Sequence, residues 1–173
     1  MKIVDIFAEQ LFAIHYQSEV DNEYDRLMED WTDVSYLRKY AKDNNVDNIN
    51  KFVKEKLRNA EQIQDLLEDI TSNNDPLEQY FRPLFDTERG VKILSLQKGK
   101  IDRNGIRLYA IKIDNNMFLL TGGAIKMSQK MQDHPDSSIE LEKVKVAKLF
   151  LQDNGVTDND SFYELLKEIE DGE

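Results

Sequence analysis

The spacing of apolar side chains changes along this chain from a helical period to an alternating one near residue 89. Before that point, one stripe of side chains recurs at i, i+3, i+4 and i+7, namely Tyr24, Leu27, Met28 and Trp31. After it, apolar residues alternate with polar ones, as in a half-buried strand. Helices and strands are therefore grouped separately, which predicts an α+β fold with one principal sheet.

Residues 22–81 carry the helical pattern and form a helical elaboration of the domain. Asp33 is suited to cap a second helix, and Asp47 or Asn48 to cap a long third one, because short polar side chains accept from free backbone N–H groups. The turn-forming residues 72–76 end that helix. A short helical turn over 76–81 then stops before Arg82-Pro83.

The N-terminal residues 2–16 mix β-branched and aromatic side chains, which favours strand. The pattern fits one strand or a hairpin that turns near Glu9-Gln10, and a helix is the competing interpretation. The sequence does not decide between the strand and helix interpretations.

Residues 89–127 predict an antiparallel β-meander. One strand is expected over 91–96 and another over 106–111, and the turn Asp114-Asn115-Asn116 joins it to a return strand that starts at Met117. Gly122-Gly123 indicates a bulge or a close approach of the backbone.

Residues 137–170 return to helix, with Asp136, Ser137 or Ser138 as the first cap and Asn154-Gly155 as the end. A final short helix is expected over 161–169. The pattern contains no linker or repeat, so residues 1–173 are predicted to form a single domain.

Charge is distributed unevenly over the 173 residues, whose formal net charge is −11. Residues 1–88 have a net charge of −10 and residues 133–173 of −8, whereas residues 89–132 carry nine basic and two acidic side chains, a net of +7. Such a segment indicates a local anion-binding face. The alternative is a chance cluster on a solvated face of the sheet.

Several classes of function are disfavoured by what the sequence lacks. Cys is absent, which excludes disulfides and thiolate ligands, and His15 and His134 have no paired ligand spacing, so no metal or cofactor is expected. No apolar run approaches the roughly 20 residues that span a bilayer, and no signal peptide is evident. We therefore expect a cytoplasmic protein with no membrane partner. The acidic total also argues against direct binding of DNA.

The basic segment contains the candidate site. Arg107 and Tyr109 share one face of a strand, and Lys112 continues that face if no bulge intervenes. Lys126 and Lys130 share parity further along. Arg can bind a phosphate through two N–H groups, Lys supplies a point charge, and Tyr can stack on a base or move a proton. The alternative is a set of ordinary exposed strand residues.

These residues also carry a family resemblance. The strand 107–113, its turn, the segment from Met117 to Lys130 and the helix 139–148 resemble the RelE/HigB-like toxins, in particular their phage-derived branch. In that branch an Arg/Tyr strand leads to an apolar strand, a small-residue step, a Lys-x-Ser/Thr-Gln-Lys run and a helix with Glu, Leu, Lys and Ala. The order of elements over the whole chain matches in outline.

The resemblance implies a metal-independent mRNA endoribonuclease, ribosome-dependent or free, with an antitoxin protein as its partner. Such enzymes promote attack of a ribose 2′-OH on the adjacent phosphate. Arg107 and Lys126 match phosphate-stabilising positions, and Tyr109 matches an acid/base or stacking position. The matching RNA-binding candidates are Lys98, Lys100, Lys112 and Lys130.

The chain departs from that family in its acidity, in the long helix predicted near 48–71 and in the terminal helix. These departures favour the alternative function, a non-catalytic protein-interaction module on a RelE-like fold. A third hypothesis, an acidic mimic of nucleic acid, requires a continuous negative surface, and the basic segment argues against it.

Overall fold

The computed structural model describes residues 1–7, 9–101, 105–127 and 135–172, with side chains of the last range described from Ser138. It is an α+β structure with six strands and five helices in these ranges. The strands are β1 (Lys2–Phe7), β2 (Leu11–His15), β3 (Arg82–Pro83), β4 (Ser95–Lys100), β5 (Ile106–Asp114) and β6 (Met117–Ile125). The helices are α1 (Glu23–Thr32), α2 (Val34–Asp43), α3 (Ile49–Ser72), α4 (Pro135–Asp153) and α5 (Asn159–Asp171).

The strands form one sheet in the order β1-β2-β6-β5-β4-β3. All described neighbours are antiparallel except β2 and β6, which run parallel through the pairs Leu11–Phe118, Phe12–Leu119 and Ala13–Leu120. The meander over β4, β5 and β6 confirms the sequence prediction. The parallel pairing of β2 with β6 could not be predicted from the local sequence pattern.

The N-terminal segment is a hairpin. β1 and β2 pair antiparallel, with a register shift between Asp5 and Phe7. Glu9 has φ 65°, a left-handed conformation that allows the chain to reverse there. The competing helical interpretation of residues 2–16 is wrong. The segment forms two strands, and β2 pairs with β6, which lies about 100 residues later in the chain.

One face of the sheet is covered by α1 and α3, with α2 packed against α3. The predicted caps are present: the side chains of Asp33 and Asn48 accept from the backbone N–H groups of Tyr36 and Lys51. The predicted turn after α3 is a 3₁₀ turn over Leu77–Gln79. No helix in the described ranges is both long enough and apolar enough to cross a membrane.

The strand predicted over 91–96 begins later, at Ser95. Val91 and Ile93 are 39% and 41% exposed, and Leu94 has φ 56°, which breaks the extended backbone immediately before the strand. This displacement places Lys98 and Lys100 on β4 itself. Their side chains are therefore held in register with β5.

The other face of the sheet is covered by α4 and α5, which pack Leu141, Val144 and Phe162 against it. α4 begins at Pro135, ahead of the cap predicted at 136–138, and proline is well suited to a first helical turn. α5 also begins earlier than predicted, where the side chain of Asp158 caps it. The predicted end of α4 is confirmed, since Gly155 has φ 74°.

A bulge in β6 changes which side chains face each helical layer. Tyr109 pairs with Gly122 and Ala110 with Leu120, so Thr121 is the extra residue. As a consequence Gly122 faces α4, where an added Cβ atom would overlap Glu140 Oε2. Gly123 faces α1, where a Cβ atom would lie 2.7 Å from Trp31 Cη2. The Gly-Gly pair thus follows the bulge at Thr121 directly and allows a close approach of the backbone to both helical layers.

Candidate functional site

Four of the predicted basic residues converge at one end of the sheet. Lys100 on β4 pairs directly with Arg107 on β5, and Arg107 pairs with Ala124 on β6, shortly before Lys126. Side chains of directly paired residues point to the same face, with Cβ atoms about 5 Å apart. Lys98 lies two residues before Lys100 and shares its parity. We refer to Lys98, Lys100, Arg107 and Lys126 as the basic cluster.

The charges within the basic cluster affect one another. Burial lowers the pKa of the Lys98 ammonium below its ordinary value. The positive charges that lower it further belong to Arg107, Lys100 and Lys126. No carboxylate of the described residues lies within 4 Å of Lys98 or Lys100, in contrast to the ion pairs formed elsewhere. An anion bound here would relieve the mutual repulsion of these cations.

The members of the basic cluster differ in exposure. Lys100 is exposed, Lys98 and Lys126 are half-buried, and Arg107 is only 5% exposed. Arg107 Nη1 donates to the carbonyl oxygen of Ile106 at 3.2 Å, and burial lowers its pKa from the ordinary value. A ligand therefore meets the lysines first and the guanidinium second.

Tyr109 shares the parity of Arg107, as predicted, but its side chain is 0% exposed. It packs in the core between the sheet and the α4/α5 layer, opposite Gly122 and beside Ile111. The expectation of an open strand face fails here because α4 covers β5 and β6. In this arrangement the ring offers no surface on which a base could stack.

Lys112 does not continue the Arg107/Tyr109 face. It pairs with Phe118, which belongs to the core against α1 and α3, and its Nζ atom binds Glu78 Oε2 at 2.9 Å. The expectation was wrong because residues 107 and 112 differ in parity, and no extra residue of β5 lies between them: the shift at Tyr109/Ala110 adds a residue to β6, and the shift that adds Ile113 to β5 follows Lys112. Lys130, the remaining RNA-binding candidate, lies outside the described residues.

The structure adds one cation that the sequence did not single out. Arg82 pairs with Lys98 across β3 and β4, on the same face, and its Nη1 donates to the carbonyl oxygen of Glu78 at 2.6 Å. β3 has only two residues and includes a proline, so no alternating pattern could reveal it. Arg82 is recognised as a neighbour of the basic cluster from its pairing with Lys98 across β3 and β4.

A second feature is a cleft of about 460 Å³ between α1, α2, β6 and the start of α4. One wall carries Tyr36 and Tyr40, whose rings stack 6.2 Å apart at 29°. The Tyr40 ring also stacks on Phe52, at 6.3 Å, so Tyr36 is the outer ring of this stack. The floor is formed by Trp31 and the segment 123–125 of β6. Its charged lining residues are Arg26, Asp43 and Glu140.

A network of ion pairs adjoins this cleft and joins α1 to α4. Arg26 Nε donates to Glu23 Oε2 at 2.6 Å, and Lys143 Nζ contacts Glu23 Oε1 and lies 3.4 Å from Glu140 Oε2. Glu23 is 0% exposed and Glu140 8%. Tyr16 completes the group by donating to the carbonyl oxygen of Thr121 at 2.8 Å.

Burial raises the pKa of Glu140 to about 7. The ammonium of Lys143 and the guanidinium of Arg26 lower it, while the carboxylate of Glu23 raises it further. Burial likewise raises the pKa of Tyr16, with contributions from the same two carboxylates. Sequence reasoning missed this network because its members come from positions 23–26 and 140–143, each an ordinary helical charge pattern on its own.

Among the described residues, no group of three or more His, Cys, Asp or Glu side chains is arranged to hold a metal ion. No family model, curated protein or solved structure matches the chain. The resemblance to RelE/HigB-like toxins therefore stays a prediction, and the site is interpreted from its own geometry.

Proposed function

We propose that this protein is a RelE/HigB-like endoribonuclease, the toxin of a toxin–antitoxin pair, which binds mRNA phosphates at the basic cluster. The observation that carries the proposal is the convergence of Lys98, Lys100, Arg107 and Lys126 at one end of the sheet, in a chain whose net charge is −11. A phosphodiester is the ligand whose charge complements such a cluster.

The chemistry required is attack of a ribose 2′-OH on the adjacent phosphate. Negative charge grows on the phosphate oxygens in the transition state, so cations held in place before the reaction lower its barrier. Arg107 is suited to this role because its buried guanidinium is fixed by the backbone of β5. Lys126 directly follows β6, the strand next to β5, and supplies a second positive charge.

The direct test is growth of a bacterium after induction of the protein. We expect growth to stop, and we expect Arg107→Ala combined with Lys126→Ala to restore it. Because Arg107 is buried, Lys98→Gln with Lys100→Gln is a second variant that alters only half-buried and exposed side chains. Arg89→Gln with Lys92→Gln is the matched control, since it removes the same charge from the basic segment outside the cluster.

Normal growth on induction of the intact protein would contradict the proposal. Equal loss of toxicity in the Arg89/Lys92 control would also contradict it, because the effect would then follow total charge rather than the basic cluster. RNA cleavage by the purified protein, with and without ribosomes, separates the two forms of the activity.

Burial of Tyr109 favours a second candidate, a non-catalytic protein-interaction module. Without that ring, the basic cluster holds cations but no described group placed to take the proton of a 2′-OH. This candidate predicts a stable complex with the co-expressed product of the neighbouring reading frame and no RNA cleavage. Cleavage that is lost in the Arg107/Lys126 variant would exclude it.

A further inference from the structure

We propose that the cleft between α1, α2 and α4 binds a guanine base of an RNA strand, with Arg26 recognising the base and the Tyr36 ring stacking on it. This inference deepens the proposed function and rests on it for the source of the base. It assigns a role to a cleft that the proposed cleavage step does not use.

The dimensions of the cleft suit a nucleoside. Its volume of about 460 Å³ lies within the usual range for sites that bind small ligands, about 300–1,000 Å³. One side is aromatic, and Tyr36 is 37% exposed. Unstacked RNA bases are commonly recognised by stacking on such rings.

Arg26 has hydrogen-bond donors to spare at this position. Its Nε donates to Glu23 and its Nη1 lies 3.5 Å from Asp30 Oδ2, whereas its Nη2 lies 3.9 Å from Glu140 Oε1, beyond hydrogen-bond distance. The hydrogens on Nη2 thus have no acceptor among the described residues. Its side chain is 24% exposed and lines the cleft.

The charges around the cleft favour a base over a phosphate. Glu140 and Asp43 line it together with Arg26, and Glu23 and Asp30 already contact the guanidinium. A second anion at Arg26 would be repelled by these carboxylates. A neutral base that offers hydrogen-bond acceptors would not be repelled by them. Guanine presents O6 and N7 on one edge, the pair of acceptors that arginine most often reads.

The position of the cleft places it next to the basic cluster. Ala124 lines the cleft and pairs with Arg107 across β5 and β6, and Lys126 directly follows the lining residue Ile125. A strand whose base occupies the cleft therefore has its phosphates within reach of the cluster. This adjacency favours RNA over a free nucleoside as the source of the guanine.

Trp31 is the only tryptophan of the chain and lies in the floor of the cleft, so its fluorescence reports on occupancy. We expect guanosine to change the emission of the intact protein and adenosine at the same concentration to do so at least about tenfold more weakly. Arg26→Lys keeps the charge that neutralises Glu23 but loses the planar donors, and it should remove the preference for guanosine. Tyr36→Leu should weaken both nucleosides, whereas Tyr163→Leu, a similarly exposed tyrosine on α5, should not.

Two further probes identify the source of the base. A short RNA with a single guanine should bind more tightly than 5′-GMP, and Lys98→Gln with Lys100→Gln should remove that advantage while guanosine binding persists. Equal affinity for GMP and the RNA, unchanged in the lysine variant, would overturn the assignment to an RNA strand.

The pocket proposal and the proposed function fail in different ways. RNA binding that is insensitive to replacing guanine by adenine, with no change in Trp31 emission, overturns the pocket and leaves the basic cluster intact. A guanosine response in a protein that neither stops growth nor cleaves RNA overturns the proposed function and supports the base-binding pocket alone. No response of Trp31 to guanosine, GMP or the RNA overturns the pocket outright.

Discussion

Glu140 shows how a residue with an ordinary sequence context acquires an unusual environment. Its carboxylate packs on the backbone of Gly122, and two cations and a second carboxylate surround it. Burial is the largest influence and raises its pKa to about 7. Folding therefore disfavours the ionised form, and this sets the direction of a pH effect.

We predict that Glu140→Gln removes a pH-dependent part of the stability. The unfolded carboxyl titrates near 4.5 and the folded one near 7, so the contribution is fully present below about 4.5 and is lost as the pH rises through about 7. Relative to the wild type, the variant should gain about 1–3 kcal/mol in free energy of unfolding between pH 5 and pH 8. Urea unfolding at both pH values measures the difference. A constant difference would show that Glu140 titrates normally.

At the level of residues, the sequence indicated several cations of the basic cluster but neither the burial of Tyr109 nor the orientation of Lys112. Arg107 and Lys126 were identified from charge and parity, and both lie in the basic cluster. The burial of Tyr109 depends on α4 lying across β5 and β6, and no local pattern specifies where a helix 30 residues away will pack. Arg82 was missed because only the pairing of β3 with β4 places it next to Lys98, and no local pattern specifies that pairing.

At the scale of elements, the helices were the most predictable part of the molecule. Their capping residues and apolar stripes are local signals, and α1, α2 and α3 start at the expected residues. β4 was misplaced because Val91 and Ile93 resemble strand residues although both are substantially exposed. The parallel pairing of β2 with β6 joins segments about 100 residues apart, a distance at which sequence periodicity carries no information.

The packing of β6 against α4 gives a prediction at this scale. Gly122→Ala would place a Cβ atom in the space of Glu140 Oε2, and relieving that overlap should cost about 1–3 kcal/mol of stability. The double variant Gly122→Ala with Glu140→Ala should recover much of that stability, because it removes the overlapping carboxylate. Thermal unfolding of the two single variants and the double variant measures the coupling energy.

Gly172→Ala is the control, since it lies at the end of α5 with φ −80° and meets no side chain. Additive effects of the Gly122 and Glu140 substitutions would show that Glu140 does not restrict the side chain at position 122.

At the scale of the whole molecule, the distribution of charge decides what can bind. The acidic segments 1–88 and 133–173 contribute a net charge of −18 and the segment between them +7. Long-range attraction of a polyanion is therefore weak, and binding relies on short-range interactions at the basic cluster itself. The proposed RNA complex should release few counterions.

We predict a shallow salt dependence for binding of single-stranded RNA that decreases further in cluster variants. Removing one phosphate-binding cation should reduce the slope of log K against log salt concentration by about 0.7, so Lys98→Gln and Lys100→Gln should each lower it by roughly that amount. Lys92→Gln should leave the slope unchanged. Fluorescence anisotropy with a labelled oligonucleotide between about 50 and 200 mM salt measures the slopes. Equal slopes in all variants would place the binding surface elsewhere.

The parallel pairing of β2 with β6 has a consequence for how the chain is made. β2 is buried almost throughout, yet the β6 residues that pair with it are not all present until residue 120 has been synthesised. During translation the N-terminal hairpin therefore waits, with one apolar edge exposed, while the helices and the other strands emerge. Any product released before β6 would present that edge to other chains, which makes premature termination in the first two thirds of this protein a source of aggregates rather than of partly active fragments.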